Sequence, residues 1–288
     1  MTTITSDVPT RHVPTRRVRF EYPLDDLPRE FAGDPIMSYV LMVLSSMFPD
    51  GEDYFVRSVR HFRDQITDPE LKAQVAGFIG QEALHGREHR AFNAKLQELG
   101  YPTRKLERMV RKGLAVRERI QTPHANLATT AALEHFTAVF AERLLSSEEA
   151  RRELGHDEVR SLFLWHALEE SEHKAVAFDV YRHVGGSERT RRLIMNVVTG
   201  TFVAGVTLSV AIGVALDPRA RRDVRGALRH LSASPFLTKD MWTRLRDYVR
   251  PGFHPDDHDT TALVERWREE LFGEDGQLLD RVQEARRG

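Results

Sequence analysis

Apolar residues recur along most of this chain at intervals of three and four, the spacing that lines one face of an α-helix. The pattern predicts helices over 36–48, 52–66, 69–99, 104–121, 125–146, 157–184, 188–216, 219–231, 238–249 and 260–286. Turn-forming clusters separate them: "FPDG" at 48–51, "DP" at 68–69, "LGYP" at 99–102, "QTPH" at 121–124, "VGGS" at 184–187 and "RPGFHP" at 250–255. No run alternates apolar and polar residues as a half-buried strand does, so the expected fold class is all-α. Residues 1–30, rich in Thr, Pro and Arg, read as an extended arm. The pattern then divides into a bundle over 31–187 and a helical extension over 188–288.

One predicted helix differs from the rest. The run "LIMNVVTGTFVAGVTLSVAIGVAL", 193–216, has 24 residues without a charge and basic residues at both ends. It is long enough to cross a bilayer. Its Gly, Thr, Ser and Asn residues, and the lack of a second such run, favour a buried or dimer-forming helix over membrane contact. It could also wall a pocket for an apolar substrate.

The titratable residues break the pattern at particular places. "LWHALEESEHKAVAF", 164–178, sets two histidines and three glutamates, among them His166, Glu170 and His173, in an otherwise apolar run. At about 100° per residue the three named residues fall within an arc of roughly 60° on one helix face. Upstream, "GFIGQEALHGREH" holds Glu82 and His85 in the same E-x-x-H spacing, with His89 one turn further. Each E-x-x-H helix follows a helix with one misplaced glutamate: Glu52 lies 30 residues before Glu82, and Glu134 lies 36 before Glu170. The order E…ExxH…E…HxxxExxH is the donor set expected of a four-helix bundle that clamps two metal ions in its core, here with additional N- and C-terminal helices. Buried without cations, four carboxylates would be too costly to keep ionised. The expected metal ligands are therefore Glu52, Glu82, His85, Glu134, His166, Glu170 and His173.

Several neighbours admit other readings. Glu52 could be a helix N-terminal glutamate favoured by the dipole. Glu169 competes with Glu170 as a ligand and otherwise could act as a general base. His89 reads as a partner of a ligand or as a surface residue, and His135 as helix packing. Glu172 reads as solvated or paired with arginine. Asp179 and Glu142 could orient imidazole N–H groups.

Composition narrows the chemistry. There is no cysteine, which excludes disulfides, thiolate-ligated haem, Cys-ligated iron–sulfur clusters and zinc ribbons. A formal net charge of −1 gives no reason to expect a nucleic-acid partner. The N-terminal residues lack the apolar core of a signal peptide, so the expected location is cytoplasmic, possible membrane-peripheral contact aside.

The segments "FPDGEDYF", "FIGQEALHGREH" and "WHALEESEHKAVAFDVY" resemble the bacterial ferritin-like group of predicted metal-dependent hydrolases, over roughly residues 36–250. The ligand pattern is also similar to that of di-iron N-oxygenases, which carry an extra histidine four residues before the second E-x-x-H glutamate. His166 stands there, and the resemblance implies a seven-ligand di-iron site.

Two activities are then expected to compete. The favoured one is a non-haem di-iron monooxygenase: two iron ions activate O₂ to hydroxylate or otherwise oxidise a largely apolar organic substrate. No flavin or nicotinamide fingerprint occurs, so an external electron donor or reductase is implied. The alternative is a dimetal-dependent hydrolase activating a bridging water, with Glu169 as general base. Manganese or zinc would suit the same donors. Iron storage fits poorly, because the C-terminal third has no evident use in a cage subunit. Tyr54 and Tyr181 are candidates for a radical role only by proximity in sequence.

Overall fold

The computed structural model describes residues 13–22 and 27–283. The rest of the predicted arm, 1–12 and 23–26, and residues 284–288 lie outside the described residues. The chain is all-α: α1 (Pro35–Arg60), α2 (Pro69–Glu98), α3 (Thr103–Ile120), α4 (Pro123–Ser146), α5 (Glu148–Arg152), α6 (Asp157–His173), α7 (Val176–His183), α8 (Glu188–Leu216), α9 (Val224–Ala233), α10 (Lys239–Asp247) and α11 (Thr261–Phe272). Among the described residues the one β feature is an isolated antiparallel bridge between Val18 and Val282.

Helix starts follow local chemistry. Asp34, Asp68 and Thr122 cap α1, α2 and α4, each accepting a backbone N–H in the first turn, and each precedes a proline. Proline lacks the N–H that would be orphaned there and already has helical φ. Ser187 caps α8 in the same way, accepting from Thr190 N at 3.2 Å.

α1 pairs with α2, and α4 with α6 and α7, which together form the bundle. α8 lies across α1 and α4. Two buried apolar clusters flank the bundle centre, one around Phe92, Trp165 and Trp267, the other around Tyr54, Phe136 and Tyr248.

Three expectations are corrected. The break at "FPDG" is absent: α1 runs straight through Pro49. The proline cannot bond the carbonyl four residues back, and Asn93 Nδ2 donates to that Ser45 carbonyl instead, at 3.0 Å. Glu52 is therefore mid-helix, and the dipole reading of it fails. The predicted 157–184 helix is interrupted at Lys174–Ala175, where the buried Lys174 ammonium reaches out to the His258 carbonyl and Thr260 Oγ1. The predicted 260–286 helix ends at Phe272; "GEDG" follows, and residues 281–283 turn back to pair with the N-terminal segment.

The described part of the arm, 13–22, lies on the bundle as a strap. Val13, Val18, Phe20 and Tyr22 are buried. It lies against two glycines of α2: a Cβ on Gly77 would sit 2.2 Å from the Val13 carbonyl oxygen, and one on Gly80 would sit 2.3 Å from Thr15 Oγ1. Gly77→Val should therefore displace the strap, lowering stability by about 1–3 kcal/mol as overpacking does. Urea denaturation measures the loss, and limited proteolysis near residue 16 should accelerate.

Candidate metal centre

All seven expected donors converge at the bundle centre, and all are buried. α1 supplies Glu52, α2 supplies Glu82 and His85, α4 supplies Glu134, and α6 supplies His166, Glu170 and His173. Six of them form two groups, Glu52–His85–His166 and Glu82–Glu170–His173; within each, donor atoms lie within 4.8 Å of one another. Glu170 stands between the groups. Its Oε1 is 2.9 Å from His166 Nε2 and 3.8 Å from His85 Nδ1, while its Oε2 is 3.5 Å from His173 Nε2. Glu134 Oε2 is 3.3 Å from His173 Nε2, and Glu52 Oε1 is 3.7 Å from His166 Nε2. Within the E-x-x-H of α2, Glu82 Oε1 lies 3.6 Å from His85 Nδ1, although the two residues fall in different groups.

The donor atoms fit a pair of cations. Nine buried polar atoms of Glu52, Glu82, His85, Glu134, Glu170 and His173 have no hydrogen-bond partner, of thirteen such side-chain atoms among the described residues. Folded proteins rarely leave such groups unsatisfied. Here the orphans crowd one point and are all metal-ligating types, carboxylate oxygens and imidazole nitrogens.

Each imidazole is oriented by a hydrogen bond on one ring nitrogen, so that its other nitrogen faces the cluster. Asn93 Nδ2 donates to Ser45 O and to Glu107 Oε1, which leaves Asn93 Oδ1 to accept from Ser45 Oγ at 2.7 Å. With its proton so engaged, Ser45 Oγ accepts from His89 Nδ1 at 2.8 Å. His89, kept neutral by burial, then accepts at Nε2 from His166 Nδ1, 2.8 Å away. His166 Nε2, 2.9 Å from Glu170 Oε1, is thereby the nitrogen that faces the cluster. Gln81 fixes His173 in the same manner: its Nε2 donates to Pro14 O and Glu172, so its Oε1 accepts from His173 Nδ1 at 2.8 Å. Glu169 Oε2 accepts from His85 Nε2 at 3.1 Å, which frees Nδ1 for the cluster. Such partners set tautomer and ring orientation in metal sites.

Behind these partners stands the strap. Arg16 makes a two-pronged pair with Glu172 at 2.8 Å and also reaches Glu169 at 3.2 Å. Arg268 of α11 adds a contact to Glu172 at 2.6 Å. Burial pushes Glu172 upward, but Arg16 and Arg268 outweigh it and hold the carboxyl below its usual range. Glu172 is thus paired rather than solvated.

Beside Glu52, His166 and Glu170 opens a cavity of roughly 730 Å³, walled by apolar residues of α1, α4, α8 and α9. Glu169, the expected general base, lies behind His85 and does not line it.

Other candidates fall elsewhere. Glu142 pairs with Arg244 and Asp179 with His254, so neither orients an imidazole of the cluster. His135 packs against Tyr248 and Phe253. The Tyr54 hydroxyl donates to Asn126, and that of Tyr181 to Ser187 O. Spacing alone did not single out Gln81, Ser45, Asn93 or Arg16. A glutamine directly preceding an E-x-x-H glutamate was the one local signal available.

Without cations the cluster holds protons. Burial and neighbouring carboxylates raise Glu52 and Glu82 well above the ordinary range, and burial with Glu170 brings Glu134 up to about 7. Burial opposes charge on His173 too, but Glu170 and Glu134 outweigh it and raise the imidazole to about 10. Burial lowers His85 to about 3 and His166 to about 4. A carboxyl raised on folding binds protons more tightly in the native state, so its contribution to metal-free stability declines as pH rises from its usual 4.5 through about 7. A divalent ion replaces those protons.

Metal binding at pH 7 should therefore release roughly three protons per protein, from Glu52, Glu82, Glu134 and His173, read by pH-stat in weak buffer. The rise in Tm on adding metal should be larger at pH 8 than at pH 6. Separately, Glu82→Ala or His173→Ala should lose metal while keeping helicity, by elemental analysis and circular dichroism; full metal content in both variants would contradict the assignment.

Comparison with known proteins found no match among curated proteins or solved structures. A family described as "predicted metal-dependent hydrolase" matches residues 14–259, which spans the strap and all seven donors. On that match the chain belongs to the family of predicted metal-dependent hydrolases.

Proposed function

We infer that this is a two-metal enzyme that oxidises a largely apolar organic substrate with O₂. The observation that carries the reading is the cavity, which ends on Glu52, His166 and Glu170 and is otherwise lined almost wholly by side chains such as Leu41, Phe48, Phe136, Phe163 and Val206. Its volume lies within the ~300–1,000 Å³ usual for small-molecule sites. Two iron ions held by the seven donors would supply the reducing equivalents for O₂ and the oxidant that meets the substrate.

The protein's own residues do the remainder. Apolar walls position the substrate by shape and exclude water from the reacting groups. Phe48 stacks edge-on to His166, with ring centres 4.7 Å apart, and narrows the approach to the donors. Glu169, His89 and Gln81 act as positioning residues, each orienting one histidine. Arg16 keeps Glu169 and Glu172 in place. A separate donor would return the two electrons that the iron passes to O₂, restoring the reduced centre after each turnover.

Hydrolysis is the second reading, and the family description supports it. A two-metal centre would then supply an activated water. Glu169 is poorly placed as base for that chemistry, because its carboxylate is engaged by His85 and Arg16. A ligand carboxylate such as Glu134 would have to take the proton.

One pair of assays separates the readings. Protein loaded with Fe²⁺ without air should consume O₂ in an oxygen electrode when air is admitted, and His173→Ala should not. Turnover of long-chain nitrophenyl esters under argon by Mn²⁺- or Zn²⁺-loaded protein, with no O₂ uptake by the iron form, would establish hydrolysis instead.

A further inference from the structure

α8 is apolar on the side that meets solvent as well as on the side that packs. Among the described residues it is a helix long and apolar enough to cross a membrane, yet only 22% of its most apolar stretch is buried. Ile194, Met195, Val198, Val210 and Val214 face the bundle. Leu193, Val197, Leu208, Ile212 and Leu216, spaced at helical intervals, form an exposed stripe. With one side fixed to α1 and α4, the helix cannot be surrounded by lipid while the fold is intact. It can only lie along a surface.

The surroundings of the stripe say which surface. Beyond Leu216 the chain is strongly basic: residues 217–250 hold nine Lys and Arg against four Asp, in a protein of net charge −1. Arg219, Arg221, Arg222, Arg225 and Arg229 are all exposed, and Leu228, Leu237 and Trp242 are exposed beside them. Arg189 and Arg192 are exposed at the other end of α8. An apolar stripe rimmed by arginine, with an exposed tryptophan, matches the chemistry of an anionic lipid–water interface. A two-fold pairing of α8 with its own copy, parallel or antiparallel, would set one basic end against another.

The apolar cavity opens on the same face. Thr207, Ala211 and Ala215 of α8, Leu228 of α9 and Trp242 of α10 line it and are exposed, while its inner end reaches Glu52, His166 and Glu170. We propose that the α8–α10 face docks in the plane of an anionic membrane, and that the cavity admits its apolar substrate directly from the lipid. The substrate part rests on the proposed oxidation of an apolar molecule; the docking part does not.

Flotation of the metal-loaded, full-length protein with vesicles tests the docking. Vesicles of equal parts phosphatidylglycerol and phosphatidylcholine should carry the protein upward, and pure phosphatidylcholine should carry much less. Arg222→Glu with Arg225→Glu should lower the partition coefficient by about tenfold or more, with metal content unchanged. Leu208→Glu with Ile212→Glu should lower it too. Trp165 and Trp267 are buried, so quenching by brominated lipid reads Trp242 among the three tryptophans. That quenching should vanish in Trp242→Phe. Protein that stays in the aqueous fraction with both vesicle types overturns the proposal. So does a dimer by light scattering that Ile212→Glu dissolves while flotation is absent, because the face would then be covered by a second copy. Neither result depends on activity, so the inferred reaction would stand or fall separately.

Discussion

Four carboxylates and three imidazoles share one dry point at the centre of the bundle, and the rest of the structure accommodates that concentration of charge. Ionised and unpaired, buried carboxylates carry a desolvation penalty that packing elsewhere in the domain could not offset. Without cations the protein meets the problem by holding protons on Glu52, Glu82 and Glu134 and a positive charge on His173. The orphaned oxygens remain, since protons are too few to satisfy them. A pair of divalent ions would remove both difficulties together.

The layer around the donors divides its work. Neutral groups, Gln81 and the Asn93–Ser45–His89 series, decide which nitrogen of His173 and His166 faces the cluster. Glu169, held by Arg16, does so for His85. Arg16 comes from a segment more than 150 residues away from its carboxylate partners in sequence. Glycines at 77 and 80 let that segment lie close enough on α2 for Pro14 O to hold Gln81 as well. The strap thus closes the side of the centre opposite the apolar cavity and contributes to ligand geometry without contributing a ligand.

How much of this was legible depended on whether the signal was local. Helical periodicity and the two E-x-x-H units are local, so the all-α class and the seven converging residues could be read from spacing. The assignment of Glu82 and His85 to different groups could not, because it depends on where α1 and α6 stand relative to α2. Pro49 misled for the same reason: its missing hydrogen bond is repaired by a side chain 44 positions on, at Asn93. The strap was hidden because Thr, Pro and Arg look solvated until Arg16 finds Glu172. The 260–286 prediction failed where apolar residues after Gly273 serve a turn against the strap rather than a helix face.

Asn93 joins two features that lie on different helices. One of its amide hydrogens covers the carbonyl that Pro49 leaves bare, and its amide oxygen starts the series that ends at His166 Nε2. The flaw in α1 and the protonation of a metal-facing imidazole are thereby wired to a single side chain. Repairing the flaw by replacing Pro49 with an ordinary helix former would supply a competing N–H to that carbonyl and loosen the anchor that orients the amide. In this molecule a more regular helix would make a less certain histidine.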